Sequence, residues 1–391
     1  TCSGVQFQVS PAVGVGGGNI VPSNTLYTWT EPSFTGTVTG GQSSQGIART
    51  HIFGTLSNRT NSQQTVTYSV TPRTGNCTGS VFSVVVTLNP TPEFVTLTTV
   101  TCSGVQFQVS PAVGVGGGNI VPLNTLYKWD APSYTGTVTG GQSSQNLFVS
   151  HVSGTLSNRT NTQQTVTYSV TPQTGNCFGS VFSVVVTLDP KPEFVTLSTV
   201  ICSGVEFQVS PVVGTYSGNI VPANTTYTWG EPGYSASLSG GISGSNQSFI
   251  RSTIINASNT TQTATYTVIP TTGNCTGSSF TLIVTVHPVP KIASLSTVTC
   301  SGTPFEVSPT NVHPDIVPSN TRYRWSVPTY TASLNGGESA TDQPSITGLL
   351  FNTSSVEQRA FYTVTPSTIN CNVSNSFTVT VHVRAGGYID P

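Results

Sequence analysis

In the stretch SFTVTVHV, the apolar residues Phe377, Val379, Val381 and Val383 alternate with Thr378, Thr380 and His382. Alternation with period two turns one face of an extended segment to a core and the other to water, so it predicts a strand. The pattern recurs upstream in VFSVVVTL, where Phe82, Val84, Val86 and Leu88 share a face. Just before it, TVTYSVTP alternates Val66, Tyr68 and Val70 with Thr and Ser, and the intervening RTGNCTGS is rich in turn formers. The two runs are therefore expected to form a hairpin. QFQVSP alternates Phe7 and Val9 with Gln and Ser, TLYTWTEP sets Tyr27 and Trp29 on one face, and a further strand is expected around THIFGTLS. These make about seven short strands, a number typical of a β-sandwich.

The whole pattern is written four times. TCSGVQFQVSP at Thr1 returns unchanged at Thr101, then as ICSGVEFQVSP from Ile201 and TCSGTPFEVSP from Thr299. Self-similarity at a period near 100 residues defines tandem modules. The boundaries expected are 1–90, 91–190, 191–288 and 289–391, with the fourth module ending in the divergent VRAGGYIDP. Trp129, Trp229 and Trp325 repeat Trp29, and one Trp per module in mid-strand reads as a core anchor. A Gly pair follows each time, at Gly40-Gly41, Gly140-Gly141, Gly240-Gly241 and Gly336-Gly337, suited to a tight turn with positive φ.

Junctions such as NPTPEFVTLTTVT and HPVPKIASLSTVT carry spaced prolines, which favour stiff extended backbone. The EFVTLTTV that follows is expected to be the first strand of the next sandwich. The first repeat shows no such strand before Cys2. Either it was cut away in a mature or excised portion of something longer, or a preceding module lends it, as in donor-strand complementation.

Composition agrees with an all-β chain. Charged residues make up 6% of the sequence, with 39 Gly, 26 Pro, three Lys and no Met, so strong helix formers are scarce. A net charge of −1 offers no field for nucleic acid or anionic membrane, and no apolar run approaches the roughly 18 residues of a membrane-spanning helix. The fold class expected is thus four tandem immunoglobulin-like or PKD-like β-sandwich modules in an extended rod.

Each repeat holds two cysteines, Cys2, Cys102, Cys202 and Cys300 in one series and Cys77, Cys177, Cys275 and Cys371 in the other. Regular spacing in a chain of this composition predicts disulfides and an extracellular location. Pairing within repeats, Cys2–Cys77, Cys102–Cys177, Cys202–Cys275 and Cys300–Cys371, is the simplest scheme and would contribute roughly 3–4 kcal/mol per bond. Strand order argues against it, because the CSG turn and the GNC turn fall at opposite ends of a regular sandwich and a disulfide needs Cα atoms within about 7 Å. Pairing between neighbours, Cys2–Cys177, Cys102–Cys275 and Cys202–Cys371, is the alternative.

Chemistry for catalysis or metal binding is sparse. The carboxylate after the Trp shifts from Glu31 to Asp130 to Glu231 and then vanishes; His51 and His151 match each other but have no counterpart in later repeats, and His287, His313 and His382 stand singly. Thirteen acidic residues and no DxDxDG-like loop leave little for calcium. GxSxG, HExxH and P-loop motifs do not occur, so no catalytic residue, metal site or cofactor is expected. GVGGGN, Gly14 to Asn19, reads as a flexible loop. Ten Asn-x-Ser/Thr sites occur, among them Asn58, Asn158, Asn224, Asn256 and Asn352. Phe34, Tyr134, Tyr234 and Tyr330 recur after a proline and are the candidate sugar-binding surface aromatics, with core packing the competing reading.

The phrases ICSGVEFQVSP, TYTVIPTTGNCTGSSFTLIVTVHPVP and PKPEFVTLSTV resemble PKD-like and Ig-like repeats of very large secreted surface proteins of Bacteroidota, such as gliding-motility adhesins and other type IX secretion substrates. The resemblance spans all four repeats and implies a bacterial cell-surface location. It points to a non-enzymatic stalk or adhesive array that gives reach and stiffness, for surface attachment or gliding. The partners expected are neighbouring repeats of the same long chain, surface glycans and other cell-surface proteins, with no nucleic acid and no membrane insertion. The alternatives are a subunit of an extracellular filament and a spacer of a secreted polysaccharide-degrading enzyme.

Overall fold

In the computed structural model, residues 1–386 are described apart from 236 and 373; the end of the divergent tail, residues 387–391, lies outside the described residues. Every regular element among the described residues is a β-strand. The chain divides into two compact units, Thr1–Lys191 and Pro192–Pro391, each holding two modules.

The second module shows the plan. Its larger sheet is ordered Leu97–Cys102, Phe182–Asp189, Gln164–Thr174 and Leu126–Trp129, and its smaller sheet Gln106–Val109, Val152–Asn158 and Val138–Gly140. The expected hairpin is present in every module: Val66 faces Val86 and Tyr68 faces Val84 in the first, Val166 faces Val186 and Tyr168 faces Val184 in the second. The alternation then sends Val166, Tyr168, Val170, Val184, Val186 and Leu188 into one core, where they meet Phe107, Val152 and Leu156 of the opposite sheet. Trp129 is buried there with Tyr127, and its indole N–H donates to the Gln142 carbonyl at 3.0 Å. Trp29, Trp229 and Trp325 are buried in the same way, donating to the carbonyls of Gln42, Ile242 and Glu338. The Gly pairs turn as expected, with φ of 88° at Gly40 and 71° at Gly41.

The segment after each junction does form the first strand, but it joins its own module's last strand in parallel. Leu97–Cys102 runs beside Val184–Asp189, Leu197–Cys202 beside Leu282–His287, and Leu295–Cys300 beside Val379–Arg384. In the first module only an isolated parallel bridge, Cys2 to Asn89, stands at this place.

GVGGGN is ordered rather than loose. Gly14–Gly16 pairs with Asn19–Val21, and the turn residues Gly17 and Gly18 take φ of 55° and 82°. Two successive positive-φ residues make the turn whose twist suits a two-residue hairpin, so here the glycines specify a structure.

Candidate functional site

The features that set this chain apart from a string of independent sandwiches lie where one module meets the next. Within each unit the junction carries a disulfide. Cys2 of the first module is bonded to Cys177 of the second, with Cα atoms 5.6 Å apart, and Cys202 of the third to Cys371 of the fourth, with Cα atoms 5.8 Å apart. Cys102 and Cys275 are disulfide-bonded as well. Cys77 and Cys300 are free thiols, both exposed.

These bonds correct the within-repeat scheme. Cys2–Cys77, Cys102–Cys177, Cys202–Cys275 and Cys300–Cys371 are not formed, since each includes a cysteine bonded elsewhere. The expectation that all eight cysteines are bridged also fails, at Cys77 and Cys300. The reason is placement. Cys202 ends the first strand of its module and Cys2 stands at the matching place in a single parallel bridge to Asn89, whereas Cys177 and Cys371 follow the long strands Gln164–Thr174 and Gln358–Ser367, at the far end of the sandwich. Only the neighbouring module brings the two ends within bonding range.

The junction segment itself is held by the module it enters. The Glu93 N–H donates to the Ile120 carbonyl at 3.0 Å and the Ile120 N–H returns the bond at 2.8 Å, while the Val95 N–H donates to Asn119 Oδ1 at 2.9 Å. Phe94 stacks on Phe182 with ring centres 4.4 Å apart and meets Tyr127 edge-on. Phe194 repeats both contacts with Phe280 and Tyr227, and in the fourth module Lys291 pairs with Ile316 as Ile292 packs on the core. On the other side of the junction, the Thr91 hydroxyl donates to the Ser3 carbonyl at 3.1 Å. The strand expected over EFVTLTTV begins only at Leu97; the PEF before it instead packs as a plug against Phe182 and Tyr127, a role the sequence did not disclose. Its repetition beside an apolar pair was the available signal.

Phe34, Tyr134 and Tyr234 are exposed and Tyr330 is partly buried against its core. The hydroxyls of Tyr134, Tyr234 and Tyr330 donate to the carbonyls of Gly140, Gly240 and Gly336. Each ring thus closes a strand edge onto the Gly turn, which supplies a packing role for the recurrence. Four of the Asn-x-Ser/Thr sites also do internal work. Asn158 is 2% exposed; its Nδ2 donates to the carbonyls of Thr162 and Leu188, and its Oδ1 accepts from the Thr160 N–H and hydroxyl. Asn58, Asn256 and Asn352 hold the same turn. Such side chains are out of reach of a glycosyl transferase once the module has folded.

His382 Nδ1 lies 2.7 Å from Glu357 Oε1 on the outer face of the last strand, and the hydrogen bond holds the Glu357 carboxyl below its ordinary pKa. Among the described residues no three His, Cys, Asp or Glu side chains gather where a metal ion could be held.

Two-sheet sandwiches, each with one buried Trp and repeated in tandem, define an immunoglobulin-type architecture. The chain belongs to the PKD-like domain family, which matches residues 1–92, 99–192, 199–290 and 297–386. Among curated proteins nothing matches. Among solved structures the chain is similar to an I-band fragment of titin, at 11% identity over 76% of this chain and 97% of that one, with a TM-score of 0.31. It is also similar to the human desmocollin-1 ectodomain, at 11% identity over 98% and 78% with a TM-score of 0.26. The immunoglobulin domains 1–4 of Sidekick-1 match at 8% identity over 99% and 95%, with a TM-score of 0.21.

Proposed function

We propose that the chain is a non-enzymatic spacer of a bacterial cell-surface adhesin, a run of PKD-like modules that gives reach and stiffness to whatever the longer protein presents, for surface attachment or gliding. The observation that carries this reading is the disulfide between successive modules at Cys2–Cys177 and Cys202–Cys371. A bond within a sandwich stabilises that sandwich, whereas a bond between neighbours restrains the hinge and bypasses the chain between its ends when the array is pulled. Disulfides persist in oxidising compartments, which supports an extracellular location. No helix among the described residues is long and apolar enough to cross a membrane. The neighbours in the array are the partners this reading needs first, with surface glycans or other surface proteins met elsewhere on the adhesin.

Single-molecule stretching from the chain ends tests the mechanical part. The Cys2–Cys177 bond spans 175 residues, which extend to about 600 Å at roughly 3.4 Å each. In the oxidised chain that length stays hidden; after reduction it is released in successive module-unfolding steps. Equal release with and without reductant would exclude a load-bearing role for the staples. Deleting the repeats from the producing cell and scoring attachment tests the adhesive part, and unchanged attachment would refute it.

A further inference from the structure

One of the four buried tryptophans stands beside a pocket, at a place where each of the other three meets a covering group of its own module. In the first module Phe53, opposite Gln8, sets its ring 6.1 Å from that of Trp29 and 5.3 Å from that of His51. In the third, the strand Gly244–Gln247 pairs with the Trp229 strand so closely that a Cβ at Gly244 would overlap the indole. In the fourth, Ala340 pairs with Trp325 and packs on the core. The second module has Ser153, opposite Gln108, at the place of Phe53. A pocket of 580 Å³ lies there, with Trp129, Gln145, Phe148, His151 and Ser153 in its lining.

The wall of this pocket is where two near-copies part. Positions 101–122 repeat 1–22 without change and 154–161 repeat 54–61, yet 146–153 differ from 46–53 at seven of eight places, His151 alone being kept. Phe148 stands for Ala48, Val149 for Arg49 and Ser153 for Phe53. The wall is fixed in place: the Tyr127 N–H donates to the Val149 carbonyl at 2.7 Å, the Val149 N–H returns the bond at 2.9 Å, and the Leu147 N–H closes the preceding turn on the Ser144 carbonyl at 3.0 Å. Half-buried Phe148 meets Phe178, the counterpart of Thr78, edge-on with ring centres 6.0 Å apart. The Ser150 hydroxyl and His151 Nδ1 engage each other at 3.1 Å, so Nε2 is the imidazole atom left for a ligand, along with the Gln145 amide and the Ser153 hydroxyl. Among the described residues no Asp, Glu, Lys or Arg lines the pocket.

We infer that this pocket of the second module binds a neutral sugar, a pyranose or a short chain of them. An aromatic ring offers a flat apolar surface to the C–H face of a pyranose, while amide, hydroxyl and imidazole groups exchange hydrogen bonds with the sugar hydroxyls. The volume falls within the roughly 300–1,000 Å³ usual for small-ligand pockets. A uronic acid, a sulfated sugar or a phosphate would bring a charge that nothing in the lining pairs, and an unpaired charge is costly to desolvate. Phe148 is the stacking platform, and Gln145, His151 and Ser153 supply the hydrogen bonds. The site adds a contact of its own to a segment otherwise read as a spacer, and it does not depend on that reading.

The test is saturation-transfer NMR on the chain of residues 1–391, with cellobiose, maltose, lactose and N-acetylchitobiose as neutral probes and digalacturonate as the charged one. Transfer to the C–H protons of at least one neutral disaccharide at millimolar concentration is expected. Two substitutions install what the first module already holds in the same framework, so both leave the fold intact, as circular dichroism would check. Ser153→Phe fills the pocket and should abolish the transfer; Phe148→Ala removes the platform and should weaken binding about tenfold. Transfer to none of the neutral disaccharides, transfer that Ser153→Phe leaves in place, or an affinity that Phe148→Ala does not change overturns the assignment. A preference for digalacturonate overturns it as well.

Discussion

At the residue scale the modules are held by buried aromatic rings and by amides placed where water cannot reach. Tyr68, Tyr127, Tyr227 and Tyr323 are buried, and burial pushes each phenol up to about 12 from an ordinary value of 10.0. A raised pKa means that the folded state disfavours the phenolate relative to the unfolded chain. The corresponding stability is complete below pH 10, where both states hold the proton, and is lost progressively as pH rises from 10 towards about 12. Monitored by phenolate absorbance and circular dichroism together, the exposed tyrosines should titrate first with the fold intact, and these buried ones should ionise only as the sheet signal collapses. Ionisation of all tyrosines near pH 10 with no loss of structure would contradict that burial. The Asn residues act by satisfaction rather than by charge: removing Asn158 would strand the Leu188 carbonyl and the Thr160 N–H, each unmet buried group costing about 1–3 kcal/mol.

At the scale of the element, the first strand decides how complete a module is. Val184 and Val186, in the strand paired with Leu97–Cys102, are wholly buried, whereas Val84 and Val86 keep 8% and 7% exposure. Hydrogen exchange should show it: alternate amides of Phe82–Leu88 are expected to exchange at least about tenfold faster than those of Phe182–Leu188, because one sheet edge is left to solvent. Equal protection would mean that the edge is covered by other means. The strands of the hairpin and the Tyr-x-Trp strand were legible because alternation is local and repeats with the module. The parallel partner of the first strand was not legible, since pairing direction leaves no mark on a period-two pattern. The Gly17-Gly18 hairpin was hidden by composition, as glycine at positive φ and glycine in a flexible loop are the same letter. The cysteine pairing stayed open between two schemes because spacing of about 75 residues says nothing of which end of a sandwich each residue occupies.

At the scale of the whole molecule, that pairing makes a chemical count decisive. Pairing within repeats would bridge all eight cysteines and leave no thiol, each module then standing as a closed unit. Pairing to the neighbour displaces the ladder by one module, so one cysteine of each series, Cys77 and Cys300, has no mate within these four modules. A chain of residues 1–391, purified under oxidising conditions with an alkylating agent present, is therefore expected to titrate two thiols. Peptide mapping should place both labels on Cys77 and Cys300 and recover Cys2 linked to Cys177 and Cys202 linked to Cys371. A thiol count of zero with Cys2 linked to Cys77 would return the chain to a series of separately stapled beads. Two thiols at Cys77 and Cys300, with those links recovered, would mean that load passes from module to module through the disulfides as well as through the junctions.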